Sequence, residues 1–296
     1  FIIERSDGSA TYNFCVVVDD IDSEISHVIR GDDHVNNTFK QINVFKAFKK
    51  NVPTYGHVPM ILGEDGKRLS KRHGALGVGE YSAQGILPEA LKNYLLRLGW
   101  AKGDQEIFDH QAMEETFLDG TLNQSPATFS MDKLLWFNKH YLDSMSDEQL
   151  TNKISIKEFD GSEYSNNVLM AIRDRCSTLN DFVVHSSYFF DDPEIFEDTL
   201  IKKHCKEETH GYLLTFKSYL SELETWDQIS IKETIEKTIA ELEVGFGKIG
   251  LPLRLALTAT VNSPSIDLVC EILGKDIVLK RLENFLTMIQ SQEKDL

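Results

Sequence analysis

Apolar and polar positions follow two rhythms along this chain. Up to about residue 70, short β-branched runs are separated by turn residues, and beyond about residue 76 apolar positions recur every three or four residues. Ser26-His27-Val28-Ile29-Arg30 reads as a short buried strand ending at Gly31. Asp32 to Lys50 reads as a helix, with Val35, Phe39, Ile42, Phe45 and Phe48 near one face and Asp32 or Asp33 capping its start. Gly56-His57-Val58-Pro59-Met60-Ile61-Leu62 reads as a second strand, closed by the turn Gly63-Glu64-Asp65-Gly66. Strand, helix and strand at this spacing predict a βαβ unit. Tyr12 to Asp20 stays open: Phe14, Val16, Val17 and Val18 favour a strand by propensity, whereas Thr11 suits a helix cap.

The remainder reads as helical. Pro88 opens a helix through Leu91, Tyr94, Leu95 and Leu98 that stops at Gly99. Met131 to Phe137 is another, and Ser146-Asp147-Glu148 starts a further one. Residues 157–166 are polar and suit a linker. Long amphipathic stretches follow over Val168–Phe190, His210–Leu223, Ile231–Leu242, Pro252–Val261 and Ile277–Ile289, with Gly245, Gly247 and Gly250 breaking the third from the fourth. The expected architecture is a partial α/β domain followed by all-α domains.

With 41% hydrophobic residues among 296, the chain can bury a core, which excludes wholesale disorder. No apolar run nears the roughly 20 residues needed to span a bilayer, so a membrane protein is not expected. Forty-seven acids against 31 bases give a formal charge of -16, which argues against coating nucleic acid indiscriminately but leaves room for a locally basic face. Cys15, Cys176, Cys205 and Cys270 are widely spaced, so neither a disulfide framework nor a zinc ribbon is indicated, and a reducing cytoplasm is the expected setting. His204-Cys205 with His210 matches no common zinc spacing, so no zinc is expected, and Tyr188-Phe189-Phe190 reads as core rather than a stacking platform.

Three segments could carry chemistry. Gly66-Lys67-Arg68-Leu69-Ser70-Lys71-Arg72-His73-Gly74 places cations and a hydroxyl on a glycine-flanked loop after a strand, which suits a leaving pyrophosphate; taken alone, a solvated basic turn is the commoner case. Arg30-Gly31-Asp32-Asp33 at a strand's carboxyl end offers a guanidinium fork for a carboxylate and an acid for a nucleotide or Mg²⁺; taken alone it is a salt-bridged strand end. Tyr12 and Asn13 beside a turn suit a small polar pocket.

Together these segments resemble the bacterial glutamyl-tRNA synthetases, which are class I aminoacyl-tRNA synthetases. The resemblance is carried in order by Ser6-Asp7-Gly8 with Thr11-Tyr12-Asn13-Phe14, Val16-Val17-Val18-Asp19-Asp20, His27 to His34, Asn37-Thr38, Lys40-Gln41-Ile42, Leu69 to Gly74, Leu87-Pro88-Glu89-Ala90-Leu91, Leu98-Gly99-Trp100, Asp132-Lys133-Leu134, Gly247 to Arg254 and Ser263-Pro264. It covers essentially the whole chain.

The resemblance implies a partial class I nucleotide-binding (Rossmann-type) domain followed by stem-contact and α-helical anticodon-binding domains. The expected bounds are 1–74 for the second half of the catalytic domain, 75–150 for the stem-contact domain and 151–296 for the anticodon domain, the last possibly split near 195. It also implies that Tyr12 to Asp20 is helical. The implied activity is glutamate–tRNA ligation from ATP with Mg²⁺, L-glutamate and tRNA-Glu, by a cytoplasmic, monomeric full-length enzyme with no membrane partner. By the same resemblance Tyr12 and Arg30 hold glutamate, and Asp33, Arg68, Leu69, Ser70, Lys71 and Arg72 bind ATP. Ser70, Lys71 and Arg72 are the catalytic loop, with Lys71 on the phosphates, and Arg175 reads an anticodon base. Without the resemblance, Arg173 and Arg175 are two solvated helix residues. Arg68 stands where the family usually has Lys, and Asp32 where it often has Glu.

The family's phosphate-gripping His-Ile-Gly-His-type motif has no counterpart in the sequence, nor does its acceptor-end-binding insertion. The expectation is therefore the carboxyl-terminal part of the enzyme, inactive by itself. Lys202-Lys203 with Lys206, Lys248 with Arg254, and Lys280-Arg281 are the expected cation clusters for tRNA. A noncatalytic tRNA-binding module is the alternative. A glutaminyl-tRNA synthetase fits less well, because that relative has β-barrel anticodon domains.

Overall fold

The computed structural model describes residues 1–70, 77–118, 120–154 and 156–294, so Lys71 and Arg72 of the expected loop lie outside the described residues. The chain forms two compact units, Phe1–Asn138 and Lys139–Leu296.

In the first unit, α1 (Tyr12–Asp22) settles the ambiguous segment as a helix. Burial overrides propensity there: Val17 is fully buried against Val44 and Phe45, with Phe14 and Ile21 packed on the same cluster. Thr11 occupies the N-cap position, but its hydroxyl donates to the Ile2 carbonyl instead of capping the helix. β1 (His27–Gly31) leads through a 3₁₀ turn, Asp32–His34, into α2 (Val35–Ala47). His34 is the N-cap, so neither Asp32 nor Asp33 caps α2, contrary to expectation. The buried face of α2 also differs from the predicted one. It is Thr38, Gln41, Val44 and Phe45, whereas Phe39 is 65% exposed. A stripe that is polar over its first half does not register as an apolar periodicity.

The second predicted strand is two. β2 (Thr54–Val58) pairs in parallel with β1, and β3 (Ile61–Leu62) pairs instead with a later strand, β6 (Ala127–Thr128). Pro59, which has no N–H to donate to a ladder, marks the change of partner. After β3 the turn 63–66 closes through Gly66, at φ +73°, and Leu69 N–H donates back to the Ile61 carbonyl at 2.9 Å. Residues 67–69 are thereby folded back beside β3.

α3 (Val78–Ala83) and α4 (Pro88–Gly99) follow, then the short antiparallel pair β4 (Trp100–Ala101) and β5 (Thr121–Leu122) flanking α5 (His110–Phe117). Pro88 starts α4 as predicted, and the fully buried Asn138 secures that start: its Oδ1 accepts from Leu87 N–H and its Nδ2 donates to the Gly85 carbonyl. Asn138 lies on α6 (Met131–Ser144), which runs seven residues beyond the predicted Phe137.

The second unit is helical: α7 (Asp147–Lys153), α8 (Glu163–Ile172), α9 (Leu179–Phe190), α10 (Asp198–His204), α11 (Thr209–Glu222), α12 (Gln228–Glu241), α13 (Gly247–Thr258), α14 (Ile266–Leu273) and α15 (Lys275–Lys294). The polar segment read as a linker ends in a helix start, where Ser162 caps α8. The stretch read as one helix over 168–190 is broken at 173–178. A reciprocal cap starts α9 there: Thr178 Oγ1 accepts from Asp181 N–H while Asp181 accepts from Thr178 N–H. α13 begins at Gly247 and carries Pro252 inside it, so Gly247 and Gly250 belong to the helix instead of breaking it. A Cβ at Gly250 would lie 2.5 Å from the ring of the half-exposed Phe246, which would have to move aside.

Arg281 of α15 ties the second unit together. It is 5% exposed. Its Nη1 donates to the carbonyls of Tyr188 and Leu257, its Nη2 to that of Asp191, and its Nε to Asp192 Oδ1. One side chain thus satisfies carbonyls left free at the ends of α9 and α13, which favour a cation. Lys280 also donates to Asp192. The pair Lys280-Arg281, read in sequence as a tRNA-facing cluster, is therefore committed to Asp192 and the interior.

These bonds hold the Asp192 carboxyl below the usual carboxylate value. A depressed folded-state value stabilises the fold above the ordinary carboxylate pKa and loses that contribution as pH falls through the depressed one. Replacing Arg281 with Met strands several carbonyls at once, and we expect a loss of about 3 kcal/mol or more in urea unfolding. Lys280→Met, which removes only an exposed partner, should cost less than about 1 kcal/mol. Equal, small effects for the two would contradict this account.

Candidate functional site

β1 and β2 run side by side with Arg30 opposite His57 and Val28 opposite Tyr55, so these side chains share one face of the ribbon. The Arg30 guanidinium carbon lies 5.3 Å from the Tyr55 ring centroid, and that ring stacks on His57. Across from the ribbon, α2 presents its buried polar stripe. Arg30 Nη2 donates to Thr38 Oγ1 at 2.7 Å and to Gln41 Oε1 at 2.9 Å, with the His34 carbonyl at 3.4 Å. Thr38 Oγ1 is 2.9 Å from His57 Nε2, and Gln41 Nε2 donates to Asn13 Oδ1 on α1. Neutral acceptors hold the guanidinium, and its charge is not cancelled.

That geometry corrects one expectation. Both edges with which a guanidinium grips a carboxylate through two parallel bonds include Nη2. Here Thr38 and Gln41 take the Nη2 protons, and Nε is buried without a partner among the described residues. Nη1 is the nitrogen left for a ligand, so Arg30 offers a directed single-nitrogen contact instead of a fork. Burial pushes the Asp20 carboxyl above its usual value, with the Arg30 charge acting against it. Burial likewise raises the Tyr55 phenol, whose hydroxyl has no partner among the described residues.

At the end of β1, Asp33 and Arg68 form an ion pair at 3.1 Å. The hairpin after β3 supplies Arg68, and the 3₁₀ turn after Gly31 supplies Asp33. Gly31 leaves room for that carboxylate, because a Cβ would meet Asp33 Oδ1 at 2.7 Å. Arg30, Gly31, Asp33, His34, Pro59, Met60, Ile61, Arg68 and Leu69 line one open cleft of about 440 Å³. Of the expected site residues, the structure thus brings Arg30, Asp33, Arg68 and Leu69 to one cleft. Tyr12 is 52% exposed, with its ring 6.2 Å from that of His34 on the cleft wall. Ser70 is half-buried and follows Leu69 directly, and Lys71 and Arg72 lie outside the described residues. Among the described residues no group of three His, Cys, Asp or Glu is placed to hold a metal ion, and no helix is long and apolar enough to cross a membrane.

In the second unit, Arg175 is exposed on the 3₁₀ turn 173–175 between α8 and α9, and its Nη1 donates to Asn262 Oδ1 at 2.9 Å. Its neighbour Arg173 is not a solvated residue. It donates to Asp147 Oδ1 and to the carbonyls of Leu142, Asp143 and Met145, finishing the end of α6. Arg254 of α13 donates through Nη1 to Ser263 Oγ and to the carbonyls of Ser263 and Pro264. Burial, and after it the nearby Arg175 charge, hold the Arg254 guanidinium below its usual value. Lys206 donates to the Lys202 carbonyl near the end of α10, and Lys202, Lys203 and Lys206 are all exposed.

Comparison with known proteins follows this division. The family model described as class I tRNA synthetases (E and Q), catalytic domain, matches residues 1–136, and the model described as anticodon binding domain matches 134–286. A glutamate–tRNA ligase of Francisella philomiragia is 44% identical over 292 residues, covering 95% of this chain and 62% of its own length. The chain therefore spans a little under two thirds of that curated relative. A crystal structure of a glutamate tRNA ligase from Elizabethkingia meningosepticum in complex with its amino acid superposes with a TM-score of 0.71 at 27% identity, over 96% of this chain and 61% of that one. A glutamate-tRNA synthetase from Elizabethkingia anophelis gives 0.68 at 26% identity, over 97% and 62%.

The thiols test the arrangement without any ligand. Cys176, next to Arg175, is buried, and its Sγ–H lies 3.3 Å from the Ile172 carbonyl; burial pushes the thiol up to about 12. Burial also raises Cys205 to about 11 and raises the fully buried Cys270. Cys15 is exposed on α1. At pH 8 a disulfide reagent should titrate Cys15 quickly, the half-buried Cys205 more slowly, and Cys176 and Cys270 only on unfolding, because the thiolate is the reactive form. Fast labelling of Cys176 in the native chain would show that the Arg175 turn opens.

Proposed function

We infer, from a chain that belongs to the class I tRNA synthetases for glutamate and glutamine, that its chemistry is that of a glutamate–tRNA ligase. The observation that carries this reading is the single cleft lined by Arg30, Asp33, Arg68 and Leu69. In the first step a carboxylate oxygen of L-glutamate attacks the α-phosphorus of ATP, and the bond to the bridging oxygen breaks as pyrophosphate leaves. In the second, a hydroxyl of the tRNA's terminal adenosine attacks the activated carbonyl and AMP departs. Both steps ask mostly for positioning and charge stabilisation.

Arg30 Nη1 meets one oxygen of the glutamate side chain, and Tyr12 closes that pocket from α1. Asp33 accepts from ATP. The loop from Arg68 through Leu69, Ser70, Lys71 and Arg72 stabilises the phosphates, with Mg²⁺ arriving on the nucleotide. In that sequence Arg68 leaves Asp33 as it turns to the phosphates, freeing the carboxylate for the nucleotide. Arg68 is 70% exposed, so the exchange costs little, about 1 kcal/mol at most.

Residues 75–150 contact the stem of tRNA-Glu, and residues 151–296 carry the anticodon-binding surface, where Arg175 reads a base. Guanidinium groups suit base edges by hydrogen bonding and stacking. Arg254 lies beside Arg175, which makes this a concentrated positive locus in a chain of charge -16. The setting is the cytoplasm and the active enzyme a monomer.

One sequence feature favours a second reading, a noncatalytic tRNA-binding module: these 296 residues hold no His-Ile-Gly-His-type segment. Isotope exchange between pyrophosphate and ATP, with glutamate, bears on the second reading. We expect no exchange by this chain alone, and turnover would rule out the module. In both readings tRNA-Glu binding should weaken at least about tenfold between roughly 50 and 200 mM salt, as phosphate contacts release counterions. A flat response would count against both.

A further inference from the structure

The loop between α13 and α14 holds two arginines at once. Ala259, at φ +52°, ends α13, and a local network pins the residues after it. Thr258 Oγ1 donates to the Arg254 and Thr260 carbonyls, which share its one proton, and Asn262 N–H donates to Thr260 Oγ1. From this loop Ser263 and Pro264 accept from Arg254, and Asn262 Oδ1 accepts from Arg175 Nη1, 87 positions away in sequence. Neither guanidinium has a carboxylate in ion-pair contact among the described residues, although the chain carries 47 acids. Asp267, which acts on Arg254 from a distance, accepts instead from Gln228 Nε2.

The choice of Asn is the informative detail. A carboxylate at position 262 would accept the same hydrogen bond and cancel the charge. The neutral amide oxygen orients the guanidinium and leaves its full charge for a ligand. The nitrogen it uses matters as well. With Nη1 held, the Nε and Nη2 edge stays open and has no partner among the described residues, and this edge presents two parallel donors. Arg30 is held the opposite way, through Nη2, which closes both of its forks.

We propose that Asn262 is a positioning residue for base recognition: it fixes the plane of Arg175 so that the Nε/Nη2 edge addresses the edge of an unstacked RNA base. The inference rests on the reading of Arg175 given above and adds the group that aims it. A base edge, unlike a phosphate, is sensitive to the tilt of its donor. Loss of Asn262 therefore reduces discrimination between bases more than it reduces attraction to the backbone.

The test is binding of the whole 296-residue chain to two RNA hairpins that carry the anticodon loop of tRNA-Glu and differ only in the third anticodon base, C in one and G in the other. Fluorescence anisotropy at several salt concentrations reads both the affinity ratio and the salt slope. We expect the chain to prefer one hairpin and Asn262→Ala to cut that preference about fivefold, the weight of one hydrogen bond, with the salt slope unchanged. Asn262→Asp restores the hydrogen bond while cancelling charge, so it should keep the preference and weaken both hairpins alike. That variant decides the matter if the Ala chain does not fold.

A preference unchanged in Asn262→Ala, or lost in a folded Asn262→Asp, overturns the proposal. Arg175→Gln is the separate control. If it leaves the preference intact, or if the parent chain shows none, the base-reading role of Arg175 falls and this inference with it. If Arg175→Gln abolishes the preference and Asn262→Ala does not change it, only the positioning role falls.

Discussion

A guanidinium taken out of water keeps its charge, so each arginine drawn into a fold must be given acceptors. That constraint organises both units of this chain. Arg281 answers it with Asp192 and three carbonyls, and Arg173 with Asp147 and the carbonyls that finish α6. Each of these two has a carboxylate in its set, and each closes helix ends. Arg30, Arg175 and Arg254 are held by hydroxyl, amide and carbonyl oxygens alone. A carboxylate partner neutralises, whereas a neutral acceptor orients and leaves the field intact. The division separates arginines that hold the fold together from those whose charge remains available at a cleft or a surface.

Much of the architecture was legible in the sequence because its signals are local. Val28-Ile29 followed by a glycine announces β1, and Pro88 announces α4. Where the local pattern misled or left a choice open, a long-range partner often outweighed it. α1 is helical despite its valines because Val17 meets Val44 and Phe45. The strand expected over 56–62 splits at Pro59 because Ile61 pairs with Ala127, some 66 positions on. The predicted face of α2 is displaced by one position, because its first turns are buried against an arginine instead of an apolar core.

The site divides in the same way. Arg30, Asp33 and the segment from Arg68 stand out in sequence as charged residues beside strand ends and turns, and motif reasoning could find them. Tyr55 and His57 could not be found so, and Thr38 and Gln41 fall in segments that carry the resemblance without showing their role. Nothing in a threonine and a glutamine three positions apart says that both bond one nitrogen of a side chain on a neighbouring strand. Asn262 is harder still, since its partner is remote and its neighbours read as an ordinary turn. A buried polar stripe beginning a helix right after a charged strand end was the one available signal for the first group.

The polar stripe of α2 has a consequence for how this fold can drift. Arg30 bonds both Thr38 and Gln41, which are buried, so exchanging any one of the three in isolation breaks at least one of these hydrogen bonds. A lineage that gave up the arginine first would leave Gln41 Oε1 without its donor, and one that gave up the amide first would leave Arg30 Nη2 one acceptor short. The cost of a lone change therefore falls on more than one position, which favours changing the three together.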